Sequence, residues 1–351
     1  MKITFFMGSM CRGGAERVIS IISNDFCARG WDVEIAVLLK NKVEYDLDER
    51  IRIVDLTGKH ASYIKNAAHW YQCIRRYLKE RKPDRVVSFA GRINALVLTA
   101  AQGLRLPIIV SERNDPMHDG RGPMMRRYCD MMYRNAKAIV FQNKHEQSCF
   151  SAAHAPRSYI IPNPIRVTAQ REKESMDYIL TTAGRLNVQK NQKVLVAAME
   201  KIQAAYPQVK CRIYGEGDLR SSLQTQINEL GLQEVVTLEG KVSDIHERLA
   251  QCDLFVMTSD FEGLSNALIE GMMVGLPCIS TDYPGANELI QHEENGLLVP
   301  CDNADALAET VIKLLGDQAK MEKLAQNAKE SARQYHADIV LEQWRKVIEE
   351  N

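Results

Sequence analysis

Short apolar segments of strand length recur along the chain, and each is followed by a glycine-containing or polar loop and then by a helical pattern. Lys2–Gly8 is apolar and ends in glycine, and the apolar residues between Val18 and Phe26 have helical spacing. Tyr178–Ala183 begins a second series of the same kind. Strands that alternate with helices form parallel sheets with helices on both faces. The sequence therefore predicts an α/β fold with two sheets, each of about six strands.

The alternation breaks near the middle of the chain. Ile161–Ile165 contains two prolines, which interrupt regular structure. The polar stretch Arg166–Asp177 follows. We therefore predict a first domain over residues 1–165 and a second over residues 166–335. A final helix over residues 336–351 can cross back to the first domain.

The composition fits a globular protein of two domains. The chain has 351 residues, 45% hydrophobic and 26% charged, enough for each half to bury a core. Its first apolar run reads as a buried strand, not a signal peptide, and no run approaches the ~18 residues that span a bilayer. Nine cysteines are scattered without a Cys-x-x-Cys pair. This argues for a reducing, cytoplasmic compartment and against a disulfide scaffold or a zinc site.

Charge is divided unevenly between the halves. Residues 1–165 hold 26 Lys and Arg against 16 Asp and Glu, whereas the remainder holds 19 against 29. A basic first half is expected to face something anionic: a membrane surface, a pyrophosphate-bearing lipid or a nucleic acid.

Two basic segments of the first half are candidates for membrane contact. A helix is predicted over residues 65–82, with aromatic and basic side chains at Lys65, Trp70, Tyr71, Arg75, Arg76, Tyr77, Lys79, Arg81 and Lys82. Such a helix can lie on an anionic membrane, or it can pack on its own sheet with a solvated basic face. Residues 119–134 combine four arginines with four methionines, which fits either an acceptor mouth or a surface helix with a methionine-rich inner side.

The stretch Phe261–Val274 is the strongest candidate for a ligand site. It follows a predicted strand, and a helix is expected to begin near Ser265. Ligands of open α/β sheets bind at the carboxyl edge, and a helix start offers free N–H groups to a phosphate. Glu262 before the helix and Glu270 within it could therefore hold two parts of one ligand. The alternative is a solvated helix face.

Two further loops of the second half have residues suited to a nucleotide. Gly184, Arg185 and Lys190 lie between a predicted strand and a helix, where the two cations could clamp a diphosphate. Gly215-Glu216-Gly217 follows another strand, and a flat base could lie against it. The alternative for the first loop is a capped helix with exposed cations, and the alternative for the second is a turn without a ligand.

These elements, in this order, resemble glycosyltransferase family 4. The matching features are Gly-Arg-x4-Lys at Gly184–Lys190, the glycine loop at Gly215, and Glu-x7-Glu with Gly-Leu-Ser-Asn between Glu262 and Glu270. The resemblance covers nearly the whole chain. It implies a retaining GT-B enzyme of two Rossmann-like, doubly wound domains with a deep cleft between them. The first domain would bind the acceptor and the second the nucleotide-sugar.

The resemblance also implies roles for individual residues. Glu262 would bind sugar hydroxyls and Glu270 the ribose, while Arg185, Lys190 and the helix start would stabilise the diphosphate leaving group without a metal. The donor-contacting set is completed by Gly13, Gly14, Gly184, Gly215, Glu216, Lys241, Val242, Gly263, Leu264, Ser265 and Asn266. Many members have a histidine where this chain has Arg113, which leaves Arg113 or Asn114 as candidate contacts to sugar or acceptor. Asp46-Leu47-Asp48 is taken as a surface loop, so no metal is expected.

The start Gly-Gly-Ala-Glu-Arg, with Ser-Glu-Arg-Asn at Ser111, is similar to enzymes that extend glycans on a polyprenyl diphosphate. This implies transfer of a hexose or N-acetylhexosamine from a UDP-sugar to a lipid-linked saccharide at the inner membrane face, with no nucleic acid involved. Two alternatives remain at this point: a UDP-sugar epimerase of the same architecture, and a non-catalytic binder of anionic lipid. A dehydrogenase is disfavoured because neither half has the dinucleotide fingerprint.

Overall fold

The computed structural model describes residues 1–11, 13–58, 63–172 and 176–351, with the backbone alone at residues 63–65. The described chain forms two compact units. The first comprises Met1–Pro164 and Ala337–Asn351, and the second comprises Ile165–His336.

The strands and α-helices follow one another in near-regular alternation. The strands are β1 (Lys2–Met7), β2 (Asp32–Val37), β3 (Arg52–Asp55), β4 (Arg85–Phe89), β5 (Ile108–Ser111), β6 (Ala138–Phe141), β7 (Ser158–Ile160), β8 (Ile179–Ala183), β9 (Lys210–Tyr214), β10 (Val236–Gly240), β11 (Leu254–Met257), β12 (Cys278–Thr281) and β13 (Leu297–Val299). The helices are α1 (Gly14–Ala28), α2 (Tyr63–Arg81), α3 (Gly91–Ala100), α4 (Pro123–Tyr133), α5 (Lys144–Ser148), α6 (Gln192–Ala205), α7 (Arg220–Glu229), α8 (Ile245–Ala250), α9 (Asn266–Val274), α10 (Pro284–Asn287), α11 (Ala304–Leu315), α12 (Gln318–Ala332) and α13 (Ala337–Glu350).

The first unit is built on a seven-stranded sheet, one strand more than the sequence indicates. Its order is β3-β2-β1-β4-β5-β6-β7, and every pairing is parallel. The strands are almost wholly apolar because helices cover both faces of the sheet. The chain reverses its direction of winding between β1 and β4, which is where open α/β sheets bind ligands.

The second unit repeats this arrangement with six strands in the order β10-β9-β8-β11-β12-β13. All its pairings are parallel as well. Here the reversal falls between β8 and β11. The loops after these two strands are those that contain Lys190 and Glu262, so the topology alone brings the two predicted ligand-binding loops to one edge.

The last helix, α13, belongs to the first unit. Its apolar side chains, among them Val340, Leu341 and Trp344, are buried in the core that also contains β1 and β4. Trp344 stacks on Phe89 at the end of β4, with ring centroids 5.7 Å apart. The first unit therefore draws its core from both ends of the sequence.

None of the described helices combines the length and apolar character needed to cross a membrane.

Candidate active site

Lys190 and Glu262 meet at the carboxyl edge of the second sheet. The Lys190 ammonium Nζ lies 2.5 Å from Glu262 Oε1, and the Ser259 hydroxyl donates to the same oxygen at 2.5 Å. Both charged side chains are mostly buried, at 15% and 11% exposure. The two donors fix the orientation of the carboxylate, so a sugar would meet it in a set position.

The two loops are joined on both sides of this ion pair. Asn191 donates from Nδ2 to Asp260 Oδ1 at 2.8 Å. Gln189 donates from Nε2 to the Phe261 carbonyl at 2.9 Å, and its own carbonyl accepts from the Asp260 N–H at 2.9 Å. Sequence reasoning did not assign these polar residues. Their position directly beside Lys190 and Glu262 is the signal that could have found them.

Arg185 stands at the same edge but makes a different contribution. Its side chain is exposed, and in the described part of the chain its guanidinium has no carboxylate partner. Its backbone carbonyl accepts a hydrogen bond from Gln192 Nε2 at 3.0 Å, which holds the loop in place. Arg185 is thus an uncompensated cation on an ordered backbone, as an anion site requires.

Backbone hydrogen bonds connect the loops after β8, β9 and β10. The backbone N–H of Gly184 donates to the Tyr214 carbonyl at 2.9 Å, and that of Leu186 donates to the Glu216 carbonyl at 3.1 Å. The N–H of Gly215 donates to the Gly240 carbonyl at 2.7 Å. A Cβ on Gly215 would lie 1.8 Å from the Gly184 carbonyl oxygen, and the φ of Gly215 is +137°. Only glycine permits this approach.

The side chains on these loops divide by exposure. Glu216 is exposed and pairs with Arg220 at 3.0 Å. Lys241 is exposed, whereas Val242 is half-buried against the core. The predicted nucleobase contacts at Gly215, Glu216, Lys241 and Val242 therefore share one rim of the sheet.

Helix α9 begins at this rim with its cap in place. The Ser265 hydroxyl accepts from Leu268 N–H at 3.5 Å, and Asn266 occupies the first helical position. Gly263 and Leu264, just before the cap, are buried. A Cβ on Gly285 would lie 2.1 Å from the Gly263 carbonyl oxygen, so the segment after β12 packs directly on the Glu262 loop.

Glu270, one turn into α9, lies beside a histidine that sequence reasoning missed. Glu270 is 5% exposed, and Oε1 lies 3.7 Å from His246 Nε2. The Thr168 backbone N–H donates to His246 Nδ1 at 3.2 Å, so Nδ1 is the acceptor and Nε2 carries a proton. Nε2–H lies near the Glu270 carboxylate at a distance longer than a hydrogen bond, and Nε2 has no hydrogen-bond partner among the described residues.

In the first unit, the predicted glycine loop is held by a tyrosine. The Tyr45 hydroxyl donates to the Gly13 carbonyl at 2.7 Å and accepts from the Gly13 N–H at 3.0 Å. Gly14 is the first residue of α1. Arg12, the residue before this loop, lies outside the described residues. A Cβ on Gly13 would lie 2.3 Å from the Glu16 carboxylate, so this loop is tightly packed.

Arg113 differs from its predicted place at a substrate-facing edge. It is 6% exposed and donates to Ser111 Oγ at 2.8 Å and to Asn163 Oδ1 at 2.9 Å. Its guanidinium carbon lies 5.5 Å from the Phe89 ring centroid and 5.1 Å from that of Trp344. Burial lowers the pKa of Arg113. The side chain joins β5 and α13 inside the core of the first unit, which corrects the expectation of a sugar or acceptor contact.

Helix α2 also differs from the expected membrane-facing helix. Trp70 and Tyr77 are buried in the core of the first unit. Arg75 donates to the carbonyls of Ala100 and Gln102, both at 2.8 Å, and Arg81 pairs with the buried Glu34. The face of α2 that contains Trp70 and Tyr77 therefore packs on its own sheet, which is the second of the two alternatives given for this helix. The side chain of Lys65 lies outside the described residues.

Two family models match the chain, one in each half. The model described as a glycosyl transferase 4-like domain matches residues 13–164, and the model for glycosyl transferases group 1 matches residues 166–331. The chain belongs to this glycosyltransferase family. It is a hexosyl-transferring enzyme of the GT-B class, so the epimerase and the non-catalytic lipid binder are set aside.

Named relatives of this glycosyltransferase include two enzymes of Campylobacter jejuni. One is the GalNAc-α-(1→4)-GalNAc-α-(1→3)-diNAcBac-PP-undecaprenol α-1,4-N-acetyl-D-galactosaminyltransferase, 28% identical over 100% of this chain and 99% of the relative. The other is the N-acetylgalactosamine-N,N′-diacetylbacillosaminyl-diphospho-undecaprenol 4-α-N-acetylgalactosaminyltransferase, 26% identical over 95% of both chains. Among solved structures, Anabaena HepE in complex with UDP superposes with a TM-score of 0.87 at 21% identity, over 100% of both chains.

Proposed function

We propose that this glycosyltransferase moves a hexose or N-acetylhexosamine from a UDP-sugar to a saccharide carried on a polyprenyl diphosphate, with retention at the anomeric carbon. The observation that carries the donor half of the proposal is the Lys190–Glu262 pair beside the unpaired Arg185 cation. The relatives named above support the acceptor half, since both names contain an undecaprenyl diphosphate.

The donor chemistry follows from charge. As the bond from the sugar to the nucleoside diphosphate breaks, negative charge grows on the leaving oxygen. Arg185, Lys190 and the N–H groups at the start of α9 would stabilise this charge. A bound diphosphate would compete with Glu262 for Lys190, and the released carboxylate could then accept hydrogen bonds from sugar hydroxyls. Glu262 is thus a positioning group, and Glu270 is proposed to hold the ribose.

The acceptor is proposed to reach the first unit from an anionic membrane surface. Residues 1–165 contain the surplus of cations. On α4, the side chains of Met124, Tyr128 and Met131 are 89%, 36% and 49% exposed, and Arg127 and Arg134 beside them are exposed too. Apolar and arginine side chains at this helical spacing share one face, which suits a headgroup layer. This would place the enzyme at the inner face of the membrane.

A donor panel tests the proposal. Purified protein is mixed with UDP-, GDP- and ADP-sugars, and thermal shift and transfer to a polyprenyl-diphosphate-linked saccharide are measured. We expect stabilisation by one or more UDP-sugars and product only when acceptor is present. Product formed without acceptor, or a response to GDP- or ADP-sugars alone, would contradict the proposal.

Lys190→Ala tests the site within this proposal, because it removes one of the two cations proposed to bind the diphosphate. It should lower turnover at least ~10²-fold. Lys193→Ala is the control: Lys193 is close in sequence, but it is 64% exposed and pairs only loosely with Asp302 at 3.7 Å. Lys193→Ala should keep full turnover. Equal activity in the two variants would remove Lys190 from the site.

A further inference from the structure

A second cluster of reactive side chains lies in the first unit and shares no residue with the set assigned to the donor. The ligand atoms of Asp115, His145 and Cys149 lie within 4.8 Å of one another. His118 joins this group, since its Nδ1 lies 2.6 Å from Asp115 Oδ2. The donor chemistry proposed above uses none of these four side chains.

The fold brings the four residues together from two neighbouring strands. Asp115 and His118 lie in the loop after β5, and His145 and Cys149 lie on and just after α5, which follows β6. Strands β5 and β6 are paired in parallel, so both loops leave the same edge of the sheet. His145 and Cys149 are four residues apart, and this spacing puts them on one face of a helical turn.

The positions of the ligand atoms are set in advance. Asp115 is 5% exposed, and its Oδ1 accepts from the Met117 N–H at 2.9 Å. Helix α5 is capped by Asn143, whose side chain accepts from the Glu146 N–H at 2.7 Å. His145 is 30% exposed, so an ion can enter from solvent. The cluster is therefore both ordered and accessible.

We propose that Asp115, His145 and Cys149 bind Zn²⁺. Thiolate, imidazole and carboxylate are the three side-chain ligands that zinc uses, at about 2.0–2.3 Å in tetrahedral geometry. Two ligands at such distances are about 3.3–3.7 Å apart. His145 Nε2 lies 3.8 Å from Asp115 Oδ1, so a small side-chain rotation would complete the site.

Charge and proton balance also fit a divalent ion. On binding, the Cys149 thiol gives up its proton to solvent, and the resulting thiolate together with the Asp115 carboxylate neutralises Zn²⁺. His118 holds the second oxygen of the carboxylate and acts as an outer partner that orients the ligand. The fourth position is left to water. The ion would tie the loop after β5 to α5.

Cobalt spectroscopy tests the site without reference to catalysis. The full chain is treated with a chelator and titrated with Co²⁺, whose tetrahedral thiolate complexes absorb in the visible and near-ultraviolet. We expect one Co²⁺ per chain with a sulfur-to-cobalt band, and displacement of Co²⁺ by Zn²⁺. Failure to form this band, or a stoichiometry that no single site explains, would overturn the proposal.

Variants localise the binding. Cys149→Ser should abolish the sulfur-to-cobalt band. If Cys149→Ser does not fold, His145→Gln takes its place in the test and should weaken Zn²⁺ binding at least ~100-fold. His118→Ala should weaken it ~10-fold, as expected for an outer partner. Cys73→Ser is the matched control, because Cys73 also pairs with a histidine one turn away, His69, with Sγ 3.5 Å from Nε2. A band that survives Cys149→Ser or disappears in Cys73→Ser would place the metal elsewhere.

Discussion

The two hydrogen bonds described for the Glu262 carboxylate both fall on Oε1. Oε2 has no hydrogen bond among the described residues, so it remains able to accept one from a sugar hydroxyl. Because Lys190 is shared between Glu262 and the proposed diphosphate, the resting ion pair keeps the lysine in place. An isolated cation at this depth would bear a desolvation cost without a partner.

His246 is expected to act on nucleotide binding through Glu270. His246→Ala removes the Nε2–H that lies 3.7 Å from Glu270 Oε1, so the carboxylate loses one of the polar groups around it. We expect the dissociation constant for UDP, measured by calorimetry, to rise ~10-fold. His246→Gln, whose amide N–H can take the place of Nε2–H, should restore part of the affinity.

A ligand lacking the ribose hydroxyls separates this role from a purely structural one. If Glu270 holds the ribose, His246→Ala should change the affinity for a dideoxy analogue of UDP much less than that for UDP itself. An equal loss for both ligands would mean that His246 only supports the fold. Arg248→Ala, on the same helix but paired at the surface with Asp244, is the control and should leave both affinities unchanged.

At the scale of residues, the sequence predicted which charged side chains come together better than it predicted which are buried. Lys190 and Glu262 were predicted as parts of one site because each follows a strand at the same sheet edge. Arg113 was placed wrongly, since its partners Phe89, Asn163 and Trp344 are distant in sequence. His246 and the His145–Cys149 pair gave no motif, because each depends on a contact that forms only when separate loops meet.

At the scale of elements, α2 and α4 show why a basic helix in the sequence does not define a membrane surface. Both predicted segments combine cations with large apolar side chains. In α2 the aromatic residues Trp70 and Tyr77 face the core, whereas in α4 Met124 and Met131 face outward. Helical periodicity alone could not distinguish the two, because either face of an amphipathic helix can be the one that packs on the sheet.

We expect charge reversal on α4 to weaken membrane binding more than an equal reversal on α2. Arg127→Glu with Arg134→Glu should lower the affinity for anionic vesicles at least ~30-fold, since each lost cation near the surface contributes about 1 kcal/mol and each new carboxylate is repelled. The control is Arg76→Glu with Lys79→Glu, which changes the net charge equally on exposed positions of α2. Vesicle co-sedimentation at constant ionic strength measures both. Equal weakening by the two pairs would indicate a diffuse attraction with no role for the α4 face.

At the scale of the whole molecule, the alternation of strands and helices was sufficient to predict two parallel sheets. The predicted break at Ile161–Ile165 falls where the two units meet in sequence, at Pro164 and Ile165. A strand over Tyr159–Ile161 was predicted to close the first sheet, and β7 lies at Ser158–Ile160, so the sheet has seven strands where about six were expected. The final helix was expected to be able to return to the first domain, and α13 lies in the first unit. Its partners there, Phe89 and Arg113, were not predicted, because they are distant in sequence.

The stability of the first unit should therefore depend on a residue seven positions from the end of the sequence. Trp344 is fully buried against Phe89 and Arg113, so Trp344→Ala should lower the free energy of unfolding by about 3–5 kcal/mol. Ile339→Ala, at a position 46% exposed on the same helix, should change it by less than about 0.5 kcal/mol. Urea unfolding followed by circular dichroism measures both. Since Lys190, Glu262 and Glu270, which bind UDP-sugar in our proposal, all belong to the second unit, UDP binding in dilute urea should outlast the loss of the first unit in Trp344→Ala. Simultaneous loss of UDP binding and first-unit structure would show instead that the two units unfold as one.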